Sequence, residues 1–138
     1  MGILFTDDLK TNIISIDFQH QELFKVTNEL LGACKEGKGS EAISSVINFL
    51  ENYVKTHFQN EERYMLQYNY PGYNFHKIQH ETFIKKTEEL KDTFKKFGPT
   101  LSFTITVSST IVNWLVNHIR EMDRELANYL KKQNNFKE

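Results

Sequence analysis

The chain has 138 residues, enough for one domain around a single apolar core. Hydrophobic residues make up 39% and charged residues 25%, and the formal net charge is −1. Basic residues are scattered among acidic ones, so we expect no nucleic acid partner. No apolar run approaches the roughly 20 residues that span a bilayer, so we expect no membrane association. The single cysteine, Cys34, excludes an internal disulfide. Because the N-terminus also lacks the pattern of a signal peptide, a cytoplasmic location is expected.

Glycine and proline divide the chain into four segments with helical periodicity. Short connections between four such helices favour an all-α fold, an up-down-up-down four-helix bundle that forms a single domain over 1–138. Asp17 and Ser40 are the predicted N-caps of the first two helices. The predicted helices cover about 17–36, 41–67, 73–96 and 104–132, after an N-terminal lead-in over 1–16.

Two stretches of the sequence lack a clear helical pattern. The residues from Phe103 to Val107 alternate and are rich in β-branched side chains, as in a short strand. A lone strand would have no partner, so we interpret this stretch as an extended lead-in or a poor first helical turn. Residues 133–138 are predicted to be a frayed tail.

All five histidines lie on the apolar stripes of the predicted helices. A histidine without a task is usually partly exposed and would not follow the inward face five times. His57 and Glu61 are four residues apart, as are His76 and His80, so the members of each pair are about 40° apart on one helical face. His118 and Asp123 are five apart, a rotation of about 140°. Either Asp123 reaches around the helix, or the helix contains a π-bulge, which often marks a functional site.

Together with His20, these residues provide five imidazoles and two carboxylates. They are too many for one tetrahedral zinc ion and too rich in nitrogen for calcium or magnesium. The set suits iron, and also manganese, zinc or copper. If two irons share Glu61, Asp123 and an oxo or hydroxo bridge, the imidazoles divide three and two, and one coordination position stays open for a small diatomic. Terminal carboxylates would leave more open positions and would indicate an oxidase.

Two competing metal motifs are absent from the sequence. No glutamate has a histidine three residues later, so the Glu-x-x-His pattern of ferritin-like sites is missing. His80 and Glu81 begin like a zinc-protease motif, but Ile84 stands where the second histidine would be required.

The histidine-bearing segments resemble the hemerythrin family, in particular its single-domain bacterial members. The resemblance covers roughly Asp7 to Leu130, nearly the whole chain. The matching stretches are Ile16 to His20, His57 to Glu62, His76 to His80, and Asn113 to Ile119 followed by Asp123, with Tyr70 to Tyr73 before the third helix.

The resemblance implies a role for each residue of the site. The expected cofactors are two iron ions with an oxo or hydroxo bridge, and O2 is the expected ligand. Gln19, Gln59 and Glu62 are candidates for hydrogen-bonding the imidazoles. In the implied arrangement one iron is bound by His76, His80 and His118, the other by His20 and His57, both by Glu61 and Asp123, and the O2 pocket is formed by Trp114, Leu115 and Ile119.

The resemblance also implies reversible O2 binding, for oxygen storage, transport or delivery, rather than enzymatic activity. We expect the chain to be a monomer. An oxygen-accepting protein is the expected partner. The alternatives are a di-iron oxidase or peroxide-removing enzyme, and a module that senses oxygen or iron. The sequence offers no effector segment beside the predicted bundle, so we do not expect a built-in sensor.

Overall fold

Four long helices form the fold, which we describe from a computed structural model covering residues 4–37 and 39–138. Helix α4 is continuous from Leu101 to Lys131. No strand occurs within the described residues, which confirms the all-α prediction. Residues 1–3 of the predicted lead-in lie outside the described residues. The first three helices are α1 (Ile14–Lys35), α2 (Ser40–Gln67) and α3 (Tyr73–Phe97).

The start of α1 differs from the prediction. The helix begins at Ile14, three residues before Asp17, so Asp17 is not its N-cap. The Asp17 carboxylate instead accepts hydrogen bonds from the Thr11 N–H at 2.8 Å, the Thr11 hydroxyl at 2.8 Å and the Asn12 N–H at 3.1 Å. Asp17 therefore holds the preceding loop against the first turn of the helix. Ser40 is likewise the first residue of α2 rather than its cap, which is Gly39.

Helix α4 alternates between α-helical and π-helical segments. It begins at Leu101 because the Thr100 hydroxyl caps it by accepting the Phe103 N–H at 3.0 Å. The stretch from Phe103 to Val107 is thus helical, and the predicted start at residue 104 was three residues late. The segments are Leu101–Thr106 (α), Val107–Val112 (π), Asn113–His118 (α), Ile119–Asp123 (π) and Arg124–Lys131 (α).

The apolar residues form two clusters. The larger cluster draws on all four helices and includes the fully buried Phe58, Phe83 and Phe103. The smaller cluster includes Ile16, Met65, Leu126 and Leu130, and aromatic side chains pack against it.

The chain after α4 packs against the smaller cluster. Phe136 contacts the rings of Tyr64 and Tyr68, with centroid distances of 5.8 and 5.4 Å. The Tyr68 hydroxyl donates to the Asn135 carbonyl at 3.3 Å. The prediction of a frayed tail was therefore wrong for this stretch.

The helices pack in sequence, and α4 completes the bundle. Helix α1 lies against α2 and α2 against α3, while the first half of α4 contacts both α3 and α1. Phe97, at the end of α3, is 70% exposed. None of the described helices combines the length and hydropathy that crossing a bilayer requires.

Candidate metal centre

All four helices contribute to one buried site, which consists of seven polar side chains. Each of the seven is at most 4% exposed. The structure thus brings together all seven residues that the sequence singled out as metal ligands. They are His20 from α1, His57 and Glu61 from α2, His76 and His80 from α3, and His118 and Asp123 from α4.

The site lies between the two apolar clusters. On α1, His20 falls between Ile16 of the smaller cluster and Leu23 of the larger one. On α2, Glu61 falls between Met65 of the smaller cluster and Phe58 of the larger one. On α4, Asp123 falls between Ile119 of the larger cluster and Leu126 of the smaller one, so apolar packing encloses the polar layer.

The seven side chains form two groups that share both carboxylates. One group consists of His76, His80 and His118 with Glu61 and Asp123, and the other of His20 and His57 with the same two carboxylates. Within each group the candidate ligand atoms lie within 4.8 Å of one another.

Each carboxylate directs one oxygen to each group. Glu61 Oε1 lies 3.1 Å from His80 Nε2, whereas Glu61 Oε2 lies 3.3 Å from His57 Nε2. Asp123 Oδ1 lies 2.9 Å from His76 Nε2, whereas Asp123 Oδ2 lies 2.9 Å from His20 Nε2. This is the arrangement that two carboxylates bridging a pair of cations require.

A π-helical segment brings Asp123 onto the same face as His118. The segment Ile119–Asp123 follows His118 directly. Because a π-helix closes each turn with an i→i+5 hydrogen bond, residues five apart return to one side of the helix. Asp123 Oδ1 consequently lies 3.2 Å from His118 Nε2. The π-bulge hypothesis is confirmed, and Asp123 does not have to reach around the helix.

Many polar atoms of the site make no well-aligned hydrogen bond within the protein, although some lie close to one another. Among the described residues, eight buried side-chain atoms lack a hydrogen-bond partner, and all eight belong to these groups. Buried polar atoms are costly unless they are hydrogen-bonded or coordinated. The residues therefore fit a pair of metal ions. The eight atoms are His20 Nδ1 and Nε2, Glu61 Oε1 and Oε2, His76 Nδ1, His80 Nε2, His118 Nδ1 and Asp123 Oδ2.

The electrostatics of the side chains themselves lead to the same conclusion. Burial lowers the pKa of His20 and of His76, but contacts with Asp123 and Glu61 and their charges raise these values to about 9 and about 10. Burial raises the pKa of Glu61, yet the neighbouring histidines hold it well below its usual range. Protons on the imidazoles thus balance the carboxylates in the metal-free protein, and bound cations would take over that role.

Two of the imidazoles are held from outside the seven. His57 Nδ1 is 2.6 Å from Gln19 Oε1, and His80 Nδ1 is 2.8 Å from Glu62 Oε2. Both partners were candidates from the sequence. The third candidate, Gln59, is exposed to solvent.

Aromatic rings pack directly on the histidines. Phe58 stacks on His80 with a centroid distance of 3.8 Å and an interplanar angle of 5°. The sequence interpretation missed Phe58, although its place between His57 and Glu61 could have indicated contact with the site. Trp114 stacks on His118 at 4.4 Å and on Phe83 at 4.2 Å, and so lies beside the three-histidine group.

The other two predicted pocket residues are part of the core. Leu115 and Ile119 are 1% and 0% exposed and belong to the larger apolar cluster. The role of these two residues and of Trp114 in O2 binding stays a prediction.

Comparison with known proteins identifies the family. Residues 11–130 match the model of the hemerythrin HHE cation binding domain. The bacteriohemerythrin of Pseudomonas paraeruginosa is 35% identical over 121 residues, which cover 88% of this chain and 76% of that protein. The bacteriohemerythrin of Stenotrophomonas maltophilia is 33% identical over 129 residues, which cover 94% and 82%. A crystal structure of wild-type hemerythrin shares the fold with a TM-score of 0.80 at 26% identity, covering 91% of this chain and 95% of that one.

A four-helix bundle with at least one histidine from every helix and two shared carboxylates at its centre defines a class of metal-binding proteins. Within that class, this chain belongs to the hemerythrin family.

Proposed function

We propose that this protein binds O2 reversibly at a non-haem di-iron centre. The observation that carries the proposal is the pair of histidine groups joined by Glu61 and Asp123, each carboxylate directing one oxygen to each group. Imidazoles combined with carboxylates suit iron. Membership of the hemerythrin family, whose matching model is described as cation binding, supports the same function.

In this proposal the two irons are coordinated differently. His76, His80 and His118 would hold one iron, His20 and His57 would hold the other, and Glu61 and Asp123 would contact both. The unequal number of histidines supports an open position for O2 on the two-histidine side. When bound, a pair of ferrous ions supplies the two electrons that O2 accepts and returns.

The surrounding residues keep bound oxygen from being lost to side reactions. Water and proton donors would release it in reduced form, and apolar walls exclude both. Leu115 and Ile119 are completely buried apolar side chains on the same helix as His118. We propose that these two residues form the walls of the O2 pocket, and that Trp114, which stacks on His118, shields the three-histidine side of the site.

Oxygen carriage is favoured over an oxidase or a peroxide-removing enzyme. An enzyme requires substrate access to the open metal position. His20 and His57 are 0% and 1% exposed, whereas a surface groove of about 210 Å³, lined in part by Trp114, reaches His118 of the three-histidine group. This groove therefore reaches the side that has no open position in this proposal. We further propose that the chain acts as a monomer in the cytoplasm and stores or delivers O2 to an accepting protein.

A cycle of anaerobic reduction and reoxygenation tests the proposed function. The purified protein, with its iron quantified in the same sample, should contain about two irons per chain. Its visible absorbance should change when O2 is added and return when O2 is withdrawn. Chelator-treated protein is the control and should show no change. An iron content near zero, or steady turnover of added peroxide without a reversible oxygenated state, would contradict the proposal.

A further inference from the structure

The two imidazoles that are held from outside the site have chemically different partners. Gln19, next to His20 on α1, accepts from His57 on α2, and Glu62, next to Glu61 on α2, accepts from His80 on α3. In each case the residue beside a site residue on one helix orients a histidine on the next helix. One partner is a neutral amide and the other is a carboxylate.

The carboxylate leaves only one protonation arrangement for His80. A carboxylate accepts hydrogen bonds and cannot donate them, so Nδ1 of His80 must carry the proton. In the iron-loaded protein Nε2, which lies 3.1 Å from Glu61 Oε1, would then be the nitrogen that binds the metal. A carboxylate behind a ligating histidine also raises the basicity of that ligand. Gln19 orients His57 without adding charge.

The ring of His80 is fixed in this orientation. Phe58 stacks almost parallel to it at 3.8 Å, so the ring cannot easily turn away from Glu62. The Glu62 side chain is 20% exposed, and solvent therefore screens part of its charge. We accordingly expect an effect of moderate size, carried through the hydrogen bond.

We propose that Glu62 is a positioning residue that makes the three-histidine site the more electron-rich of the two metal sites. Gln19 leaves the two-histidine site poorer in electrons. The inequality favours the ferric state at the three-histidine site, since a more basic imidazole stabilises the higher charge. This inference rests on the proposed di-iron function and adds to it the cause of an electronic difference between the two irons.

The test is a spectroelectrochemical titration of the iron-loaded protein with one-electron mediators. Glu62→Gln should shift the ferric–ferrous equilibrium about tenfold toward the ferrous form, which is about 59 mV for a one-electron couple. Gln19→Glu should shift it toward the ferric form. The matched control is Glu81→Gln, which removes the same charge from an exposed residue beside His80 and should stay close to wild type. Chelator competition provides a second readout, in which Glu62→Ala should weaken ferrous ion binding about 10- to 100-fold.

The outcomes separate this inference from the proposed function. If Glu62→Gln and Glu81→Gln shift the equilibrium equally, only surface charge matters and the inference is wrong. An unchanged equilibrium in both Glu62→Gln and Gln19→Glu overturns it as well. In either case the di-iron function stands, provided that the wild type contains both irons and responds reversibly to O2. Failure of that wild-type measurement would refute the function itself.

Discussion

Seven ionisable side chains are buried together in this bundle. At the scale of single residues, removing these groups from water is the main free-energy cost of the site. A buried imidazole or carboxylate that lacks partners destabilises the fold, and such groups are tolerated when they are paired or bind a metal. Glu61 and Asp123 are 0% and 1% exposed and face histidines on every side. Replacing any one of the seven residues therefore removes a specific contact with another of them, so single substitutions can test the role of each residue.

His57→Ala should abolish reversible O2 binding. The two-histidine group would lose one of its two imidazoles, leaving His20 as the only nitrogen ligand for that iron. The measurement is iron per chain together with the absorbance change on reoxygenation. Gln59→Ala, an exposed position two residues further along α2, is the control and should behave like wild type. Full iron content with a normal O2 response in His57→Ala would show that the ligand assignment is wrong.

Leu115→Ala should leave the iron content intact but speed autoxidation, because the cavity admits water to the site. Loss of a buried leucine also costs about 2 to 5 kcal/mol of stability, so a control with a similar cost is needed. Leu90→Ala provides it, since Leu90 is buried on α3 about 15 Å along the helix from His80. The measurement is the decay of the oxygenated absorbance. Equal rates in the two variants would count against a pocket role for Leu115.

The residues of the site were predictable because helical periodicity places them on the inward face. Five histidines lie on apolar stripes, and three of them belong to i,i+4 pairs, His57 with Glu61 and His76 with His80, so the sequence predicts one convergent cluster. The contact of Trp114 with His118 follows from the same spacing, because the two residues are four apart on α4. The ring stacking of Phe58 on His80 was not predictable, because it depends on how α2 and α3 are rotated against each other, and the local sequence does not determine that rotation.

At the scale of elements, α4 changes its helical geometry so that two site residues five positions apart face the same side. Its segment Ile119–Asp123 widens into a π-helix where His118 and Asp123 must face the same space. A second π-helical segment, Val107–Val112, precedes it and places Val107 and Ile111 in the core. Its residues include several β-branched side chains, which crowd neighbours one turn away in an α-helix. A wider turn relieves that crowding.

Thr100→Ala should destabilise the start of α4. The Thr100 hydroxyl accepts the Phe103 N–H, and losing such an N-cap costs about 1 kcal/mol. Urea unfolding of the metal-free protein measures the change as a lower midpoint. Thr93→Ala, at an exposed position in the interior of α3, should leave the midpoint unchanged or slightly higher. If the two variants had the same midpoint, the cap would contribute nothing measurable.

The elements were predicted well where apolar periodicity is strong and less well at their ends. Helices α2 and α3 match their predicted ranges within one residue. The start of α1 was misplaced because Asp17 resembles a cap but binds a loop that lies earlier in the chain. Residues 133–138 were wrongly predicted to be a frayed tail because Phe136 packs on tyrosines more than sixty residues away. The sequence around Phe136 does not indicate this tertiary contact.

At the scale of the whole molecule, two apolar clusters enclose one polar layer. The layer needs positive charge to balance Glu61 and Asp123, and either protons or metal ions can supply it. Folding and cation binding are therefore coupled in this protein. The stability of the protein should therefore depend on pH in a different way when metal is bound and when it is absent.

The metal-free protein should lose stability as the pH rises from 6.5 to about 10. Contacts with Asp123 and Glu61 outweigh burial and raise the pKa of His20 to about 9 and that of His76 to about 10, from 6.5. A raised pKa stabilises the folded state fully below 6.5, and the contribution is lost as the pH passes the folded value. Thermal unfolding at several pH values measures this. Iron-loaded protein should show a smaller decline, because iron has replaced the protons. A flat profile for the metal-free protein would contradict the expected charge balance.

Anomalous diffraction at the iron absorption edge, from crystals of iron-loaded protein, tests the central claim most directly. We expect two iron peaks inside the bundle. One should lie within bonding distance of His76, His80 and His118 and the other within bonding distance of His20 and His57, with Glu61 and Asp123 contacting both. A single peak, peaks outside this layer, or two irons that share neither carboxylate would contradict the account.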